Sequence, residues 1–387
     1  MRNTYLSSDP ARYSAETERR SIGVAVSNRK LNFSAGPAIL PEEVLEEASH
    51  AILDFSQTGI GLLEHSHRGD SFGHIIESAV KGCRSIAKIP DNFHVLFLQG
   101  GATLQFAMVA ANLLREEGVA DYLETGSWSK KAVAEARIYG RVHISGSSSD
   151  SNFDRIPPQN SLRPSSNPDY VHYTSNNTIF GTQWKEEPPC SPNVPLVCDA
   201  SSDIFSRKLD IEKYGLIYAG AQKNLGPAGV TLVIIRDDLI SRVDRPLPKM
   251  LRYSTFSETN SLYNTPPGFG IFMMARVFQW ILREGGLDAI ETRNNKKAQV
   301  IYDVIDESHF YQGTAQVDSR SVMNITFKTS TPELDKLFLL EAERNGFHNL
   351  KGHRSVGGMR ASIYNAFPEN GCKELAKFMQ KFSAKRG

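Results

Sequence analysis

The sequence predicts an α/β fold, with a large domain built on a mostly parallel sheet and a smaller α+β domain after it. Three observations support this prediction. The chain has 387 residues, which is enough for two hydrophobic cores. From Leu31 onward, short apolar runs alternate with amphipathic segments of helix length, a pattern typical of parallel sheets covered by helices on both faces. Past residue 286 the predicted strands and helices suit a smaller α+β domain, and we place the domain boundary there.

The first elements of the large domain have clear signals. A helix is predicted over 41–55, where apolar residues recur at helical spacing. Pro41 suits its first position, and the two glutamates that follow favour the positive end of the helix dipole. An apolar strand over 94–98 is followed by a helix over 103–114 whose apolar residues share one face.

The later elements continue the alternation. Strands are predicted over 194–198, 216–219 and 229–235, each as a short apolar run. The Ser-, Pro- and Asn-rich stretch 145–167 is predicted to be a surface loop. A long apolar helix over 269–283 is predicted to end before two glycines.

The two ends of the chain differ from the middle. Near the C-terminus, strands are predicted over 322–327 and 359–364, with a helix that opens at Thr331 between them. Residues 1–30 are polar and lack the apolar stretch of a secretory signal. We therefore expect a flexible N-terminal extension there, and organelle import remains open as an alternative.

Composition argues against several classes of partner. Lys plus Arg number 44 and Asp plus Glu 43, so a net charge of +1 gives no indication of nucleic acid or an anionic membrane. No apolar run approaches the roughly 18 residues that span a bilayer. The four cysteines are scattered, which favours buried thiols in a reducing compartment over disulfides or zinc. We expect a cytoplasmic protein without a bound metal.

A glycine turn offers a seat for a phosphate group. The strand at 94–98 runs into Gln-Gly-Gly-Ala-Thr at 99–103 and then into a helix. Glycines let the backbone turn sharply, and a helix N-terminus presents unpaired N–H donors. Because any strand–turn–helix junction favours glycine, this motif is weak evidence alone.

Asp199 and Lys223 follow predicted strands, at the sheet edge where ligands bind in open α/β folds. Lys223 lies among the small residues of Ala-Gly-Ala-Gln-Lys-Asn at 219–224. Desolvation there would lower the pKa of the amine and make it a nucleophile. A lysine for a Schiff base, an aspartate for a pyridine nitrogen and a phosphate seat together predict pyridoxal phosphate as cofactor.

Longer motifs occur in order along the chain. They are Asn-Phe-Ser-Ala-Gly-Pro-Ala at 32–38, Ser-His-Arg-Gly at 66–69, Ile-Tyr-Ala-Gly-Ala-Gln-Lys-Asn at 217–224, Asn-Thr-Pro-Pro at 264–267, Lys-Gly-His-Arg at 351–354 and Gly-Met-Arg-Ala-Ser-Ile-Tyr-Asn at 358–365. Together they resemble the phosphoserine aminotransferases, which are class-V pyridoxal-phosphate enzymes of fold type I. The resemblance implies a seven-stranded sheet and a homodimer with active sites at the subunit interface.

The resemblance also implies a domain division. Residues 41–285 would form the large cofactor-binding domain and residues 286–387 the small C-terminal domain. The segment 31–40 would be an N-terminal arm that packs with the small domain.

Cofactor contacts follow from the same resemblance. Lys223 is similar to the Schiff-base lysine and Asp199 to the partner of the pyridine nitrogen. Trp128 resembles the residue that stacks on the ring, Thr178 the hydroxyl that bonds the phenolic oxygen, and Gln222 a phosphate contact.

The phosphate itself has further expected contacts. Ala102 and Thr103 occupy the glycine turn, where some family members have Gly-Arg, so a charged ligand is missing here. Asn264 and Thr265 resemble the pair that reaches the phosphate from the partner subunit.

Substrate contacts are implied by two His-Arg pairs and one further arginine. Arg360 resembles the residue that holds the substrate α-carboxylate, which an arginine fork can bind in bidentate fashion. His67, Arg68, His353 and Arg354 would surround the distal phosphate, or the side-chain carboxylate of glutamate. The first pair is expected from the partner subunit.

The implied reaction converts O-phospho-L-serine and 2-oxoglutarate reversibly to 3-phosphohydroxypyruvate and L-glutamate, in L-serine biosynthesis, with Lys223 moving the α-proton. Phosphohydroxythreonine, a vitamin B6 precursor, would fit the same site.

Four alternatives stay open. They are a serine–glyoxylate or alanine–glyoxylate aminotransferase, a cysteine desulfurase relative, a non-catalytic phosphate-binding module, and a zinc site at His65 and His67. The second cationic cluster argues against the first and the lack of an activated cysteine against the second. A binding module would not need Asp199 together with Lys223, and too few further ligands accompany the histidines for zinc.

Overall fold

The computed structural model describes residues 29–387, so nearly all of the predicted extension at 1–30 lies outside the described residues. The described helices are α1 (Glu42–Leu53), α2 (Asp70–Ala87), α3 (Gly101–Leu113), α4 (Ser127–Ala136), α5 (Tyr253–Glu258), α6 (Gly268–Arg283), α7 (Gly286–Asp306), α8 (Pro332–Arg344) and α9 (Glu369–Arg386). None of them combines the length and apolarity needed to cross a bilayer.

The described strands are β1 (Leu31–Asn32), β2 (Phe93–Leu98), β3 (Val119–Glu124), β4 (Arg141–Ser147), β5 (Tyr170–Thr174), β6 (Asn176–Asn177), β7 (Thr182–Gln183), β8 (Leu196–Asp199), β9 (Leu216–Gly220), β10 (Thr231–Arg236), β11 (Gln312–Gly313), β12 (Asn324–Lys328), β13 (Phe347–His348) and β14 (Met359–Ser362). Seven of them form the central sheet in the order β2-β10-β9-β8-β5-β3-β4. The pairs from β9 through to β4 are parallel, while β10 pairs antiparallel with both β9 and β2. The predicted α/β fold with a mostly parallel, seven-stranded sheet is confirmed.

Both faces of the central sheet are buried. Along β9, Leu216 and Tyr218 pack into a core that includes α3 and α4, whereas Ile217 and Ala219 pack into a core that includes α2 and α6. Side chains alternate between the faces of a strand. A strand covered on both faces therefore reads as a continuous apolar run, which is why β9 was recognisable in the sequence.

A second region has its own core, formed by α8, α9, β12, β14 and the later part of α7. Phe33, which precedes α1, lies in this core with its ring centroid 4.4 Å from that of Phe367. Helix α7 reaches both regions, because Leu287 packs in the large core and Ile301 in the second. The domain bounds drawn from the sequence stay a prediction.

Some elements differ from the sequence prediction. The loop predicted over 145–167 is wrong at its start, since β4 continues to Ser147. Helix α3 begins at Gly101, two residues earlier than predicted, because Gly100 already turns the chain with a φ of 90°. Strands β3 to β5 and helices α2 and α4 had no sequence prediction.

Candidate active site

Lys223 lies buried in the turn that follows β9. Its Nζ donates a hydrogen bond of 2.8 Å to Thr178 Oγ1. Burial lowers the pKa of the Lys223 amine to about 8, an effect that the Asp199 carboxylate opposes and the Arg360 guanidinium strengthens. A substantial neutral fraction near neutral pH makes this amine competent as a nucleophile and as a base.

Asp199 ends β8, one strand away from the strand that leads to Lys223. Its Oδ1 accepts hydrogen bonds from the backbone N–H of Ser201 at 3.0 Å and from the hydroxyl of Ser201 at 2.6 Å. No group among residues 29–387 donates to Oδ2. Burial raises the pKa of Asp199, while Ser201 and the Lys223 ammonium act in the opposite direction. A cation seated against Oδ2 would keep this carboxyl ionised.

Arg360 comes from β14 and reaches the same place. Its Nη1 donates to the carbonyl oxygen of Thr178 at 3.3 Å, and its Nε is buried without a hydrogen-bond partner. Burial lowers the pKa of Arg360. No carboxylate of the described chain lies within 4 Å of its guanidinium, so this group is available to bind an incoming anion. The structure therefore brings Lys223, Thr178, Asp199 and Arg360 together in one region.

Trp128 lies in the first turn of α4, beside the segment that carries Thr178. The approach is close, since a Cβ on Gly126 would lie 2.7 Å from Asn177 Oδ1. The indole Nε1 is buried without a partner, and the indole packs against a small aromatic cluster that includes Phe180. A flat ring at this position suits offset stacking on a planar ligand.

The predicted phosphate seat lies between β2 and α3. Gly100 has to be glycine, because a Cβ there would lie 2.7 Å from Leu104 Cβ and its φ is positive. Ala102 and Thr103 stand in the first turn of α3, where backbone N–H groups have no partner within the helix. Gln222 is partly buried next to Lys223, and its carbonyl oxygen accepts the N–H of Ala38 at 2.9 Å.

Four predicted residues make no described hydrogen bond or ion pair with Lys223, Asp199 or Thr178 within one chain; they are His67, Arg68, Asn264 and Thr265. His67 Nε2 is nevertheless buried without a partner, and the carbonyl oxygen of Thr265 accepts from Gln99 Nε2 at 3.2 Å, directly before the glycine turn.

The second His-Arg pair lies in the loop before β14. Burial lowers the pKa of His353, and the nearby positive charges of Arg360, Arg354 and Lys131 lower it further. The charge of Arg360, the predicted carboxylate ligand, is thus one of three that act on His353. Arg354 is exposed and lines a cavity of about 550 Å³ together with His353.

Sequence reasoning missed two polar residues of this region. Ser201 holds the Asp199 carboxylate, and the Asp-x-Ser spacing at 199–201 is a known turn signal that could have revealed it. Lys131 lies one turn after Trp128, with its Nζ 4.6 Å from the centroid of the indole ring. The i, i+3 spacing of the two residues could have suggested that contact.

The described residues offer no group of ligands for the zinc site considered as an alternative. Residues 29–387 contain no cluster of three or more His, Cys, Asp or Glu side chains that could hold a metal ion. The Nε2 atom of His65 instead shares a hydrogen bond of 3.2 Å with Thr58 Oγ1.

Comparisons with known proteins agree with the fold and with the family that the motifs indicate. The model of the class-V aminotransferase family matches residues 30–375, so the chain is a class-V aminotransferase. A phosphoserine aminotransferase from Lysinibacillus sphaericus is 50% identical over 361 residues, which cover 93% of this chain and 99% of that protein. The chain therefore belongs to the phosphoserine aminotransferase family, which confirms the resemblance inferred from the motifs.

Solved structures give the same result. The phosphoserine aminotransferase of Bacillus circulans subsp. alkalophilus superposes with a TM-score of 0.90 at 49% identity, covering 93% of this chain and 99% of that one. The phosphoserine aminotransferase of Trichomonas vaginalis, solved with bound PLP, superposes with a TM-score of 0.86 at 35% identity, covering 91% and 100%.

The described residues fit pyridoxal phosphate. Lys223 presents a buried amine whose pKa is lowered to about 8, and Asp199 presents an uncommitted carboxylate oxygen on a neighbouring strand. The indole of Trp128 offers a flat face. The turn at Gly100 leads into the first turn of α3, where backbone N–H groups have no partner within the helix. An amine, an acid, an aromatic plane and an anion seat are the groups that this cofactor requires.

Proposed function

We propose that the protein is a pyridoxal-phosphate-dependent transaminase. It interconverts O-phospho-L-serine and 2-oxoglutarate with 3-phosphohydroxypyruvate and L-glutamate, in L-serine biosynthesis. The observation that carries this proposal is the buried Lys223 amine, bonded to Thr178 and lying within the electrostatic influence of Asp199 and Arg360. The similar proteins from Lysinibacillus and Bacillus support the choice of substrate.

The chain's own residues divide the chemical work. When bound, pyridoxal phosphate supplies an aldehyde for covalent attachment and a ring that delocalises the negative charge left by loss of the α-proton. A neutral Lys223 Nζ would accept that proton from the α-carbon and then, as an acid, deliver it to the carbon that had carried the aldehyde oxygen, with Thr178 Oγ1 fixing the direction of the amine. Asp199 holds a positive charge opposite Oδ2, and Arg360 binds the α-carboxylate so that the α-proton faces the amine.

Both amino acid substrates carry a second anion beyond the α-carboxylate. We assign His353 and Arg354 to that distal group, together with His67 and Arg68 from a partner subunit. The electrostatic influence of Arg360 on His353 supports the first pair. Two separated cationic positions would select a phosphorylated or dicarboxylic amino acid over a neutral one.

A homodimer is part of this proposal. Three large apolar side chains near the first His-Arg pair are exposed, namely Leu53 at 81%, Leu63 at 63% and Ile60 at 46%. Apolar side chains grouped on a surface are typical of an interface. His67 Nε2 is buried without a partner in the described chain, which also fits a site completed by a second copy.

A cytoplasmic location is proposed as well. The four cysteines are free, and burial raises the pKa of Cys83, Cys198 and Cys372. Unpaired, inert thiols suit a reducing compartment.

Substrate preference tests the proposed reaction. We expect kcat/KM for phosphoserine to exceed that for serine or alanine by at least about 100-fold, because the distal cations would be left unpaired by a neutral substrate. Steady-state kinetics with 2-oxoglutarate as acceptor measure this ratio, and phosphohydroxythreonine can be compared in the same assay. Equal rates with serine and phosphoserine would contradict the assignment, and a colourless purified protein would favour the binding module.

Subunit mixing tests the shared site. Lys223→Ala dimers and dimers carrying both His67→Ala and Arg68→Ala should each be nearly inactive. After subunit exchange, half of the dimers are mixed and each has one complete site, so about a quarter of wild-type activity should return. Dimers that exchange subunits, as shown by differently tagged copies, yet stay inactive would place His67 and Arg68 in their own chain's site.

A further inference from the structure

Lys297 is a fully buried lysine of α7 that the proposed chemistry does not use. Its Nζ donates to the carbonyl oxygens of Ile363 at 3.0 Å and Tyr364 at 2.7 Å, and reaches that of Asn365 at 3.5 Å. No carboxylate among residues 29–387 lies within 4 Å of it. An ammonium group has three donors, so this amine is matched to three consecutive carbonyl oxygens of one chain segment.

Such an arrangement is unusual for a lysine, because a buried cation without a paired anion is unfavourable. Burial lowers the pKa of Lys297 to about 7; the neighbouring Cys372 and Glu369 oppose this effect, and Arg293 adds to it. Charged or neutral, the amine keeps at least two donors for the three carbonyl groups. Its position therefore fixes the path of the backbone at 363–365.

Two of these three residues bond to the surroundings of Lys223 on the other side of the segment. The backbone N–H of Asn365 donates to Asn224 Oδ1 at 3.0 Å, and Asn224 follows Lys223 in the chain. The hydroxyl of Tyr364 donates to the carbonyl oxygen of Ala35 at 2.7 Å. Next to Ala35, a Cβ on Gly36 would lie only 3.4 Å from the Lys223 side chain.

The segment 363–365 also continues directly from β14, which carries Arg360. Arg360 donates to Thr178, and Thr178 accepts from Lys223. Only residues 361 and 362 separate the backbone that Lys297 fixes from Arg360, the predicted α-carboxylate ligand, and Asn224 ties that backbone to Lys223.

We propose that Lys297 is a positioning residue that holds the end of β14 in the register at which Arg360 and Lys223 meet the same substrate. This inference rests on the proposed transamination. Lys297 takes no part in proton transfer, since its amine is fully buried and all its described side-chain hydrogen bonds go to backbone carbonyl oxygens. Its substitution should therefore weaken α-carboxylate binding more than it slows chemistry.

Replacing Lys297 with methionine in the holoenzyme tests the inference. The variant keeps the length and apolar stem of the side chain but leaves the three carbonyl oxygens without donors. We expect KM for phosphoserine and for 2-oxoglutarate to rise together by about 10-fold, because both substrates present an α-carboxylate to Arg360, with kcat changed less. The dissociation constant of 2-oxoglutarate, measured by titration calorimetry, should rise in parallel.

A double-mutant cycle with Arg360→Lys separates positioning from a general loss of stability. If Lys297 acts through Arg360, Lys297→Met should add little to the KM of the Arg360→Lys variant. Tyr311→Phe is the matched control, because it removes a buried side-chain bond to a backbone carbonyl, that of Met379, in the same core. It should lower thermal stability without changing KM.

The possible outcomes are distinct. If Lys297→Met does not fold, Lys297→Gln retains two donors on a shorter side chain and should show the same KM increase to a smaller extent. A normal KM in a folded Lys297 variant, or a KM increase that multiplies fully with that of Arg360→Lys, overturns the inference. A wild-type enzyme that does not transaminate phosphoserine would instead overturn the proposed function, and the calorimetric titration would still report on Lys297.

Discussion

Replacing Lys223 with alanine is expected to reduce transaminase turnover by at least about 10⁴-fold, while the protein remains folded. The methyl side chain can neither attach the cofactor nor accept the α-proton, so both tasks are lost together. Lys223 contributes one described side-chain hydrogen bond, to Thr178. Its burial also lowers its own pKa, so removal of the charge relieves an unfavourable interaction in the folded state.

The measurement combines activity with a chemical map of the attachment site. Borohydride treatment of the wild-type holoenzyme, followed by peptide mapping, should find the reduced cofactor on Lys223, and the alanine variant should carry none. Lys381→Ala, an exposed lysine of α9, serves as the control and should behave as wild type. A label on another lysine, or near-normal turnover in Lys223→Ala, would remove the assignment.

The pH dependence of lysine reactivity follows from the same burial. The neutral fraction of an amine rises as pH passes its pKa, so a pKa of about 8 leaves far more neutral amine at neutral pH than the usual value of 10.5 would. This is the form that attacks an aldehyde and accepts a proton. The small residues around Lys223 in the sequence already indicated this environment.

Much of the site was visible in the sequence because its residues follow strands. Asp199 and Lys223 come directly after apolar runs, and parallel strands bring their carboxyl ends to one edge of a sheet. Thr178 and Arg360 could be placed only by resemblance, since each depends on contacts across about 180 residues of chain. Local patterns carry no information about such pairings.

The parts that escaped prediction have physical reasons. Strand β3 includes Asp121, a buried carboxylate that accepts hydrogen bonds from the N–H and hydroxyl of Ser165, and this polar residue interrupts the apolar run. Lys297 lies among polar residues in the sequence of α7 and reads as solvent-facing. Only the tertiary structure shows that its amine is buried against a strand end.

Asp199→Asn is expected to lower turnover by about 10³-fold or more, which corresponds to roughly 4 kcal/mol of transition-state stabilisation. A neutral amide cannot keep a pyridine nitrogen protonated, so the bound ring would lose its capacity to take up negative charge. The loss should appear in kcat for every amino acid substrate, because it acts on a step that they share. Rates from single-turnover half-reactions measure it directly.

The nearby Asp203 provides a matched control, since it is also a buried carboxylate whose pKa burial raises. Both of its oxygens already have partners, because Oδ1 accepts from the hydroxyl of Ser175 and Oδ2 from Gln183 Nε2 at 3.1 Å. An asparagine at 203 would replace one of these acceptor oxygens with an NH₂ group, which would then face a group that donates a hydrogen bond there. We therefore expect Asp203→Asn to lower the free energy of unfolding by about 1–3 kcal/mol, with a smaller effect on kcat of the folded enzyme.

Asp199→Asn should leave stability nearly unchanged. Its Oδ1 can still accept both bonds from Ser201, and Oδ2 has no described partner to lose. A carboxyl whose pKa is raised by burial destabilises the folded state at pH values above that pKa, so removing its charge carries no stability loss at neutral pH. The two variants thus distinguish a buried carboxylate that is expected to act on the cofactor, Asp199, from one that is expected to stabilise the fold, Asp203. Equal losses of stability and turnover in both would mean that Asp199 is a structural residue and that the ring's counter-charge lies elsewhere.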